Sequence, residues 1–220
     1  MNHRWFVLTA LLAVFLAPMS TFANGTIDFV VPWANGGTLS YSGGTSPLMG
    51  QNIQVADIFG YGGTQNNFDA VRITDGLLDF SSGSSSGRWS WGSGGSLDVT
   101  GSIGSISGTL LHGTFSDVYL RRTSLGWLEL SLGSFSGSIS SGLSAFYGFP
   151  TGSVDGSLRM LAFNDVPAGQ AFNDAPVLVG AVQTVDAAEG GGLAATLCLL
   201  LTAGLCLTLG VRLKVLKLAA

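Results

Sequence analysis

Between its two apolar ends the chain has no cysteine and no lysine. Both cysteines, Cys198 and Cys206, fall in the C-terminal apolar run, so no disulfide framework can staple the residues from Asn24 to Gly192. Histidine is nearly as scarce. His112 is the one imidazole in that segment, and a zinc site would need nitrogen or sulfur ligands that the segment lacks. Cations are few there too. Five arginines (Arg72, Arg88, Arg121, Arg122, Arg159) stand against thirteen carboxylates between Asp28 and Glu189, a balance of about −8. That charge excludes nucleic acid as a natural partner and favours solubility or contact with cations.

Long apolar runs are present only at the ends. "MNHRWFVLTALLAVFLAPMSTFANG" opens with a positive region at Arg4, continues in an uncharged run from Trp5 to Ala17, and breaks at Pro18. Thr21-Phe22-Ala23 then offers small residues where a signal peptidase reads, which predicts a signal peptide over 1–23 cut after Ala23. At the other end, Leu193 to Val211 is nineteen residues without a charge. As a helix it would reach about 28 Å, close to the hydrocarbon core of a bilayer. Arg212, Lys214 and Lys217 follow at once, and flanking cations stay on the cytoplasmic side. The reading is a transmembrane helix over 193–211, a basic cytoplasmic tail over 212–220, and a body outside the cytoplasm.

An N-terminal signal, a Gly/Ser-rich exported body, a short polar motif, an apolar span and a basic terminus together resemble PEP-CTERM-type proteins. The motif in this chain is Val185, Asp186, Ala187, Ala188, Glu189, Gly190, Gly191 and Gly192, an acidic-glycine variant without Pro-Glu-Pro. Body phrases such as "GTLSYSGGTSPLMGQNIQVADIFG", "ITDGLLDFSSG", "GSGGSLDVTGSI", "GTLLHGTFSD" and "LSAFYGFP" are similar to those of one group in that family. The resemblance implies sorting by an exosortase in the inner membrane of Gram-negative bacteria that make extracellular polysaccharide. It also implies retention at the membrane, or processing to the cell surface or extracellular matrix. It assigns no reaction and no cofactor.

Glycine and serine make up a third of the body, a composition that suggests disorder, yet its periodicity argues for strands. Leu128, Leu130 and Leu132 alternate with Glu129 and Ser131; Leu78 and Phe80 flank Asp79; Leu97 and Val99 flank Asp98. Ile53 and Val55 begin another run, and Thr26 to Val31 reads as a more fully buried strand. Most such runs are roughly four to seven residues, short of the ~9–11 that an outer-membrane barrel strand requires. Asp75-Gly76 is the best hairpin signal. Leu143, Phe146 and Tyr147 fall at helical spacing before Pro150, predicting one short helix that caps the sheet. The expected fold is all-β: an antiparallel β-sandwich or jelly-roll-like domain over 24–184, with a flattened barrel as the alternative and 185–192 as the sorting motif and linker.

Candidate chemistry is thin. Gly83-Ser84-Ser85-Ser86-Gly87 has the outline of a nucleophile elbow at Ser85, but the strand-like "RWSW" follows where a helix should. His112 reads as a hydrogen-bonded structural or surface residue. Phe163-Asn164-Asp165 and Phe172-Asn173-Asp174 repeat one triplet, as turn formers or as a loose calcium site. Trp89 and Trp91 straddle Ser90 and face one side of a strand, either packed in a core or exposed for stacking on sugar rings. Arg88, Arg121 and Arg122 would hold acidic sugars or make local salt bridges. The sequence therefore predicts a non-enzymatic, exported envelope or matrix protein, adhesive, structural or in contact with polysaccharide. A glycan-acting jelly roll using two carboxylates and a scaffold module binding another envelope protein are the alternatives.

Overall fold

Alternation sets the strands. Leu97 and Val99 are buried while Asp98 between them is not, and Leu78 and Phe80 behave the same way around Asp79. A period of two is what an extended chain with one face on a core requires. The computed structural model describes residues 25–33, 36–149 and 152–186, and this part of the chain is mostly antiparallel β-structure. The strands are β1 (Thr26–Val31), β2 (Thr38–Tyr41), β3 (Leu48–Gln54), β4 (Asp57–Tyr61), β5 (Val71–Arg72), β6 (Thr74–Ser82) and β7 (Ser85–Gly87). They continue as β8 (Ser90–Trp91), β9 (Gly94–Ile103), β10 (Ile106–Arg122) and β11 (Trp127–Ile139). A helix α1 (Ser141–Tyr147) precedes β12 (Ser153–Phe163) and β13 (Phe172–Asp186).

The hydrogen-bonded order β2-β3-β6-β9-β10-β11-β12-β13 closes on itself, because β13 pairs with β12 along one edge and with β2 along the other. The rest of that second edge pairs with β1, which carries β4 and β5 as a side flap. β7 and β8 form a small ribbon that joins β10 at Val118 and Tyr119. One apolar cluster fills the inside, from Ile27, Phe29 and Leu39 to Leu128, Leu130, Leu158 and Val182. Each such side chain removed from water stabilises the fold by roughly 1.5–3 kcal/mol. Among the described residues the two buried polar ones are satisfied: Ser82 Oγ accepts from Leu48 N at 2.8 Å, and Thr184 donates to the Ile27 carbonyl at 3.2 Å.

Several expectations change here. Neighbours in the ring follow chain order, as in an up-and-down barrel, instead of crossing between the two sheets of a sandwich or jelly roll. The later strands are also long: β10 has 17 residues and β13 has 15. Gly/Ser stretches, whose composition suggested disorder, belong to the ladder. In β11, Ser134, Ser136 and Ser138 point outward while Phe135 and Ile139 point in, so small residues alternate as faithfully as large ones. Strand length therefore gives no objection to a membrane barrel. The orientation of side chains does: apolar residues line the inside and hydroxyls and carboxylates the outside, the reverse of a lipid-facing barrel.

Thr26 to Val31 has no exposed residue: Ile27, Phe29 and Val31 are buried and the residues between them half-buried. Asp75-Gly76 is not a hairpin turn. It lies inside β6, where Asp75 takes φ 52° and the register with β9 shifts between Thr74 and Leu77, a β-bulge that bends the strand. The predicted helix is present, capped by Ser140 Oγ accepting from Leu143 N and ended by Gly148 at φ 70°, before Pro150 is reached. β13 runs two residues past 184, so Val185 and Asp186 of the sorting motif are ladder residues opposite Asp155 and Val154. Ala23, Glu189, Gly190, Gly191, Gly192, the apolar span with its cysteines, and Arg212, Lys214 and Lys217 lie outside the described residues. Among the described residues no helix is long and apolar enough to cross a membrane.

Candidate functional site

Trp89 and Trp91 are core residues, each about 1% exposed. Positive φ angles at Arg88 (38°) and Trp89 (63°) turn the chain between β7 and β8 and tuck both indoles inward. Trp89 Nε1 donates to the Gln170 carbonyl at 2.9 Å and Trp91 Nε1 to that of Ser46 at 3.0 Å. Tyr41 meets Trp91 edge-on at 5.2 Å, and Phe172 meets Trp89 at 6.0 Å. Sugar stacking by this pair is therefore excluded; their fixed donors and packed faces serve the core.

The remaining sequence candidates are ordinary by geometry. Ser85 sits in β7, its Oγ accepting from Gly87 N at 3.2 Å, with the β-ribbon where an elbow would need a helix. Asn164 Oδ1 accepts from Val166 N at 3.0 Å, a local turn bond, and Asp165 pairs with Arg122. Asp174 takes φ 51°, and its N donates to Ser40 Oγ at 3.0 Å. The first triplet makes a local turn bond, while the second opens β13, whose register with β2 shifts between Phe172 and Ala175; the described residues hold no group of three His, Cys, Asp or Glu that could bind a metal. His112 is exposed, with Nδ1 2.7 Å from Asp98 Oδ1 on the neighbouring strand. Asp79 faces Asp98 from the other side, its Oδ1 accepting from Asn52 N at 2.7 Å.

Register partners share a face, so the ladder writes out the exterior of the ring row by row. One row reads Asp79, Asp98, His112, Ser138, Ser153 across β6 to β12. Another reads Asp117, Ser134, Ser157, Gln183, Asp28, Phe59 from β10 to β4. In the second row Asp28 Oδ1 and Asp117 Oδ1 are shielded from water without a hydrogen-bond partner, as is the nearby Arg159 Nε. Burial pushes the Asp28 carboxyl up to about 6, with the Gln183 side chain offsetting part of the effect.

At one end of the ring the exterior turns aromatic. Trp33, just past β1, is 61% exposed, and Phe163, at the end of β12, is 55% exposed. Trp127, at the start of β11, faces Phe163 directly and meets Trp33 edge-on at 6.4 Å and 63°. The β10–β11 turn fixes Trp127: its N donates to Thr123 Oγ at 3.1 Å and its carbonyl accepts from Thr123 N at 2.8 Å. Charge flanks the aromatics in closed pairs. Arg121 grips Glu129 with two bonds at 2.9 and 3.0 Å, and Arg122 pairs with Asp165 over Gly126. Arg88, on the β7–β8 turn, is exposed elsewhere. The sequence reading passed over this cluster, although its signal was present: the alternation that sends Leu128 and Leu130 inward sends Trp127 out with Glu129.

Compared with known proteins, the chain matches no family model, no curated protein and no solved structure.

Proposed function

We propose that this protein is an exported, membrane-sorted β-module of the cell envelope or extracellular matrix that works by surface contact with extracellular polysaccharide, without catalysis. A signal peptide over 1–23 takes it out, and the apolar span 193–211 with its basic stub holds it at the inner membrane for sorting by an exosortase. The observation that supports contact over chemistry is the division of labour in the ring. Apolar side chains occupy the interior, while the exterior offers rows of hydroxyls and carboxylates and, at one end of the ring, a separate group of exposed aromatics. Hydroxylated polymers are met by such a face through many weak polar contacts and a few stacked rings.

The glycan-acting alternative finds support in one place, the Asp79–Asp98 pair facing across β6 and β9. Both carboxylates already hold protein donors there, Asn52 N and the His112 ring. Glycoside cleavage needs one carboxyl free to protonate a leaving group. Cell fractionation of the full chain against a version ending at Gly190 tests the proposal. The full chain is expected in the membrane or matrix fraction and the shortened one in the soluble exported fraction. Equal soluble release of both would remove the sorting role.

A further inference from the structure

We infer that Trp33, Trp127 and Phe163 form a stacking site for the pyranose rings of a neutral polysaccharide. This deepens the proposed contact function by giving it a place and a sugar chemistry, and it rests on that reading. A pyranose ring shows a flat face of C–H bonds and a rim of hydroxyls. It is recognised by an exposed aromatic plane with hydrogen-bonding groups at the edge. The end of the ring beside β11 supplies both. Trp33 and Phe163 are more than half exposed, Trp127 lies between them, and the Arg121–Glu129 and Arg122–Asp165 pairs stand alongside.

The position of two of these rings is set by the ladder, and Trp33 packs edge-on against one of them. Trp127 and Phe163 are cross-strand partners, which places their β-carbons about 4.5–5.5 Å apart, and the β10–β11 turn bonds hold Trp127 in place. The Trp127–Phe163 pair is thus held in place before a ligand arrives, and preorganisation is where weak sugar contacts gain affinity.

Charge selects the sugar. Arg121 and Arg122 are each matched by a carboxylate, and the body carries five arginines against thirteen acids, so uronate or sulfate groups meet no unpaired cation here. Neutral hydroxyls can bond to both members of each pair. Area argues against a second copy of the chain as the occupant. Two half-exposed aromatic side chains and the edge of a third present roughly 250–400 Å². A stable dimer buries about 800 Å² on each partner, whereas functional patches on monomers run to about 300–600 Å².

The test uses the full chain purified in a non-glycosidic detergent. Cellohexaose and laminarihexaose serve as neutral probes and oligogalacturonate as the acidic one, read by calorimetry and tryptophan fluorescence. Neutral oligomers are expected to bind with a blue shift of tryptophan emission. Trp33→Ala and Phe163→Ala should each weaken binding about tenfold, and Trp33→Phe should keep most of it. Binding that ignores both alanine variants overturns the site and leaves polysaccharide contact standing elsewhere on the surface. No binding of any oligomer, with near-ultraviolet dichroism intact, overturns the site and the contact reading together. Preference for oligogalacturonate, or a dimer that Trp33→Ala dissolves, also overturns the inference.

Discussion

The ring of Tyr147 occupies the space that a β-carbon on Gly60 would fill. Helix α1 lays this ring on β4, and Tyr147 stacks against Phe149 at 5.9 Å as the chain leaves the helix. Glycine at 60 is thus a matter of space, and alanine there must push the helix off the strand. Gly60→Ala is expected to lower stability by about 1–3 kcal/mol, as overpacking does. Gly92 has open space around its α-carbon, so Gly92→Ala should leave the unfolding free energy from urea titration within about 0.5 kcal/mol of the parent. Similar midpoints for the two variants would show that α1 does not rest on β4.

The same tyrosine carries a shielded hydroxyl that makes no hydrogen bond. Burial pushes its phenol up to about 12, with Asp69 and then Tyr61 adding to the effect. An unpaired buried hydroxyl lowers stability, so Tyr147→Phe is expected to be neutral or stabilising by up to about 1 kcal/mol. A clear loss on chemical denaturation would mean the hydroxyl has a partner in solution.

Asp28 gives the fold a pH dependence of unusual sign. Its carboxyl rises from an ordinary 3.8 to about 6 because burial penalises the charge. Below pH 4 the group is protonated in both folded and unfolded chains and contributes nothing. Between pH 4 and 6 the folded chain keeps a proton that the unfolded chain has released, so stability falls as pH rises through this window. Above pH 6 the full penalty applies, at most about 3 kcal/mol. Asp28→Asn removes the charge while keeping an amide beside Gln183. The variant should be more stable than the parent at pH 7.5 by about 1–3 kcal/mol and equal to it near pH 4. A constant difference across that range, measured by urea denaturation, would assign the burden to another group.

Two tryptophans report opposite environments. Trp91 is enclosed by Tyr41 and bonded to Ser46, whereas Trp33 stands in solvent. Trp91→Ala should remove about 3–5 kcal/mol of stability, against less than about 0.5 for Trp33→Ala. Thermal unfolding followed by far-ultraviolet dichroism separates them; comparable losses would place Trp33 inside the fold.

Much of the architecture was legible because alternation survives without hydrophobicity. Leu78, Phe80, Leu97 and Val99 announced inward faces, and Leu143, Phe146 and Tyr147 announced the helix. Ring closure was not legible, since it depends on β13 reaching both β12 and β2 and no local signal encodes that pairing. Trp89 and Trp91 misled for a related reason. Spacing places two rings on one side of a strand, and only the turn at Arg88 decides that the side is the inside. Trp33 was harder still, because Pro32 ends the alternating run just before it and leaves no periodicity to read.

Asp75 shows how a true local signal can serve a different structure. Asp-Gly favours positive φ, and Asp75 does adopt 52°, yet the residue bulges within β6 while the Gly76 carbonyl accepts from Val55 N at 2.9 Å. The left-handed conformation is tolerated by asparagine and aspartate and disfavoured for β-branched side chains, at roughly 1–2 kcal/mol. Asp75→Asn should therefore unfold at the parent's temperature, and Asp75→Ile should lose about 1–2 kcal/mol. Because β6 pairs with both β3 and β9, straightening the bulge would also shift the register that seats Leu78 and Phe80 in the core. An isoleucine variant as stable as the parent would show that position 75 is not left-handed in solution, and the bulge would have to be abandoned.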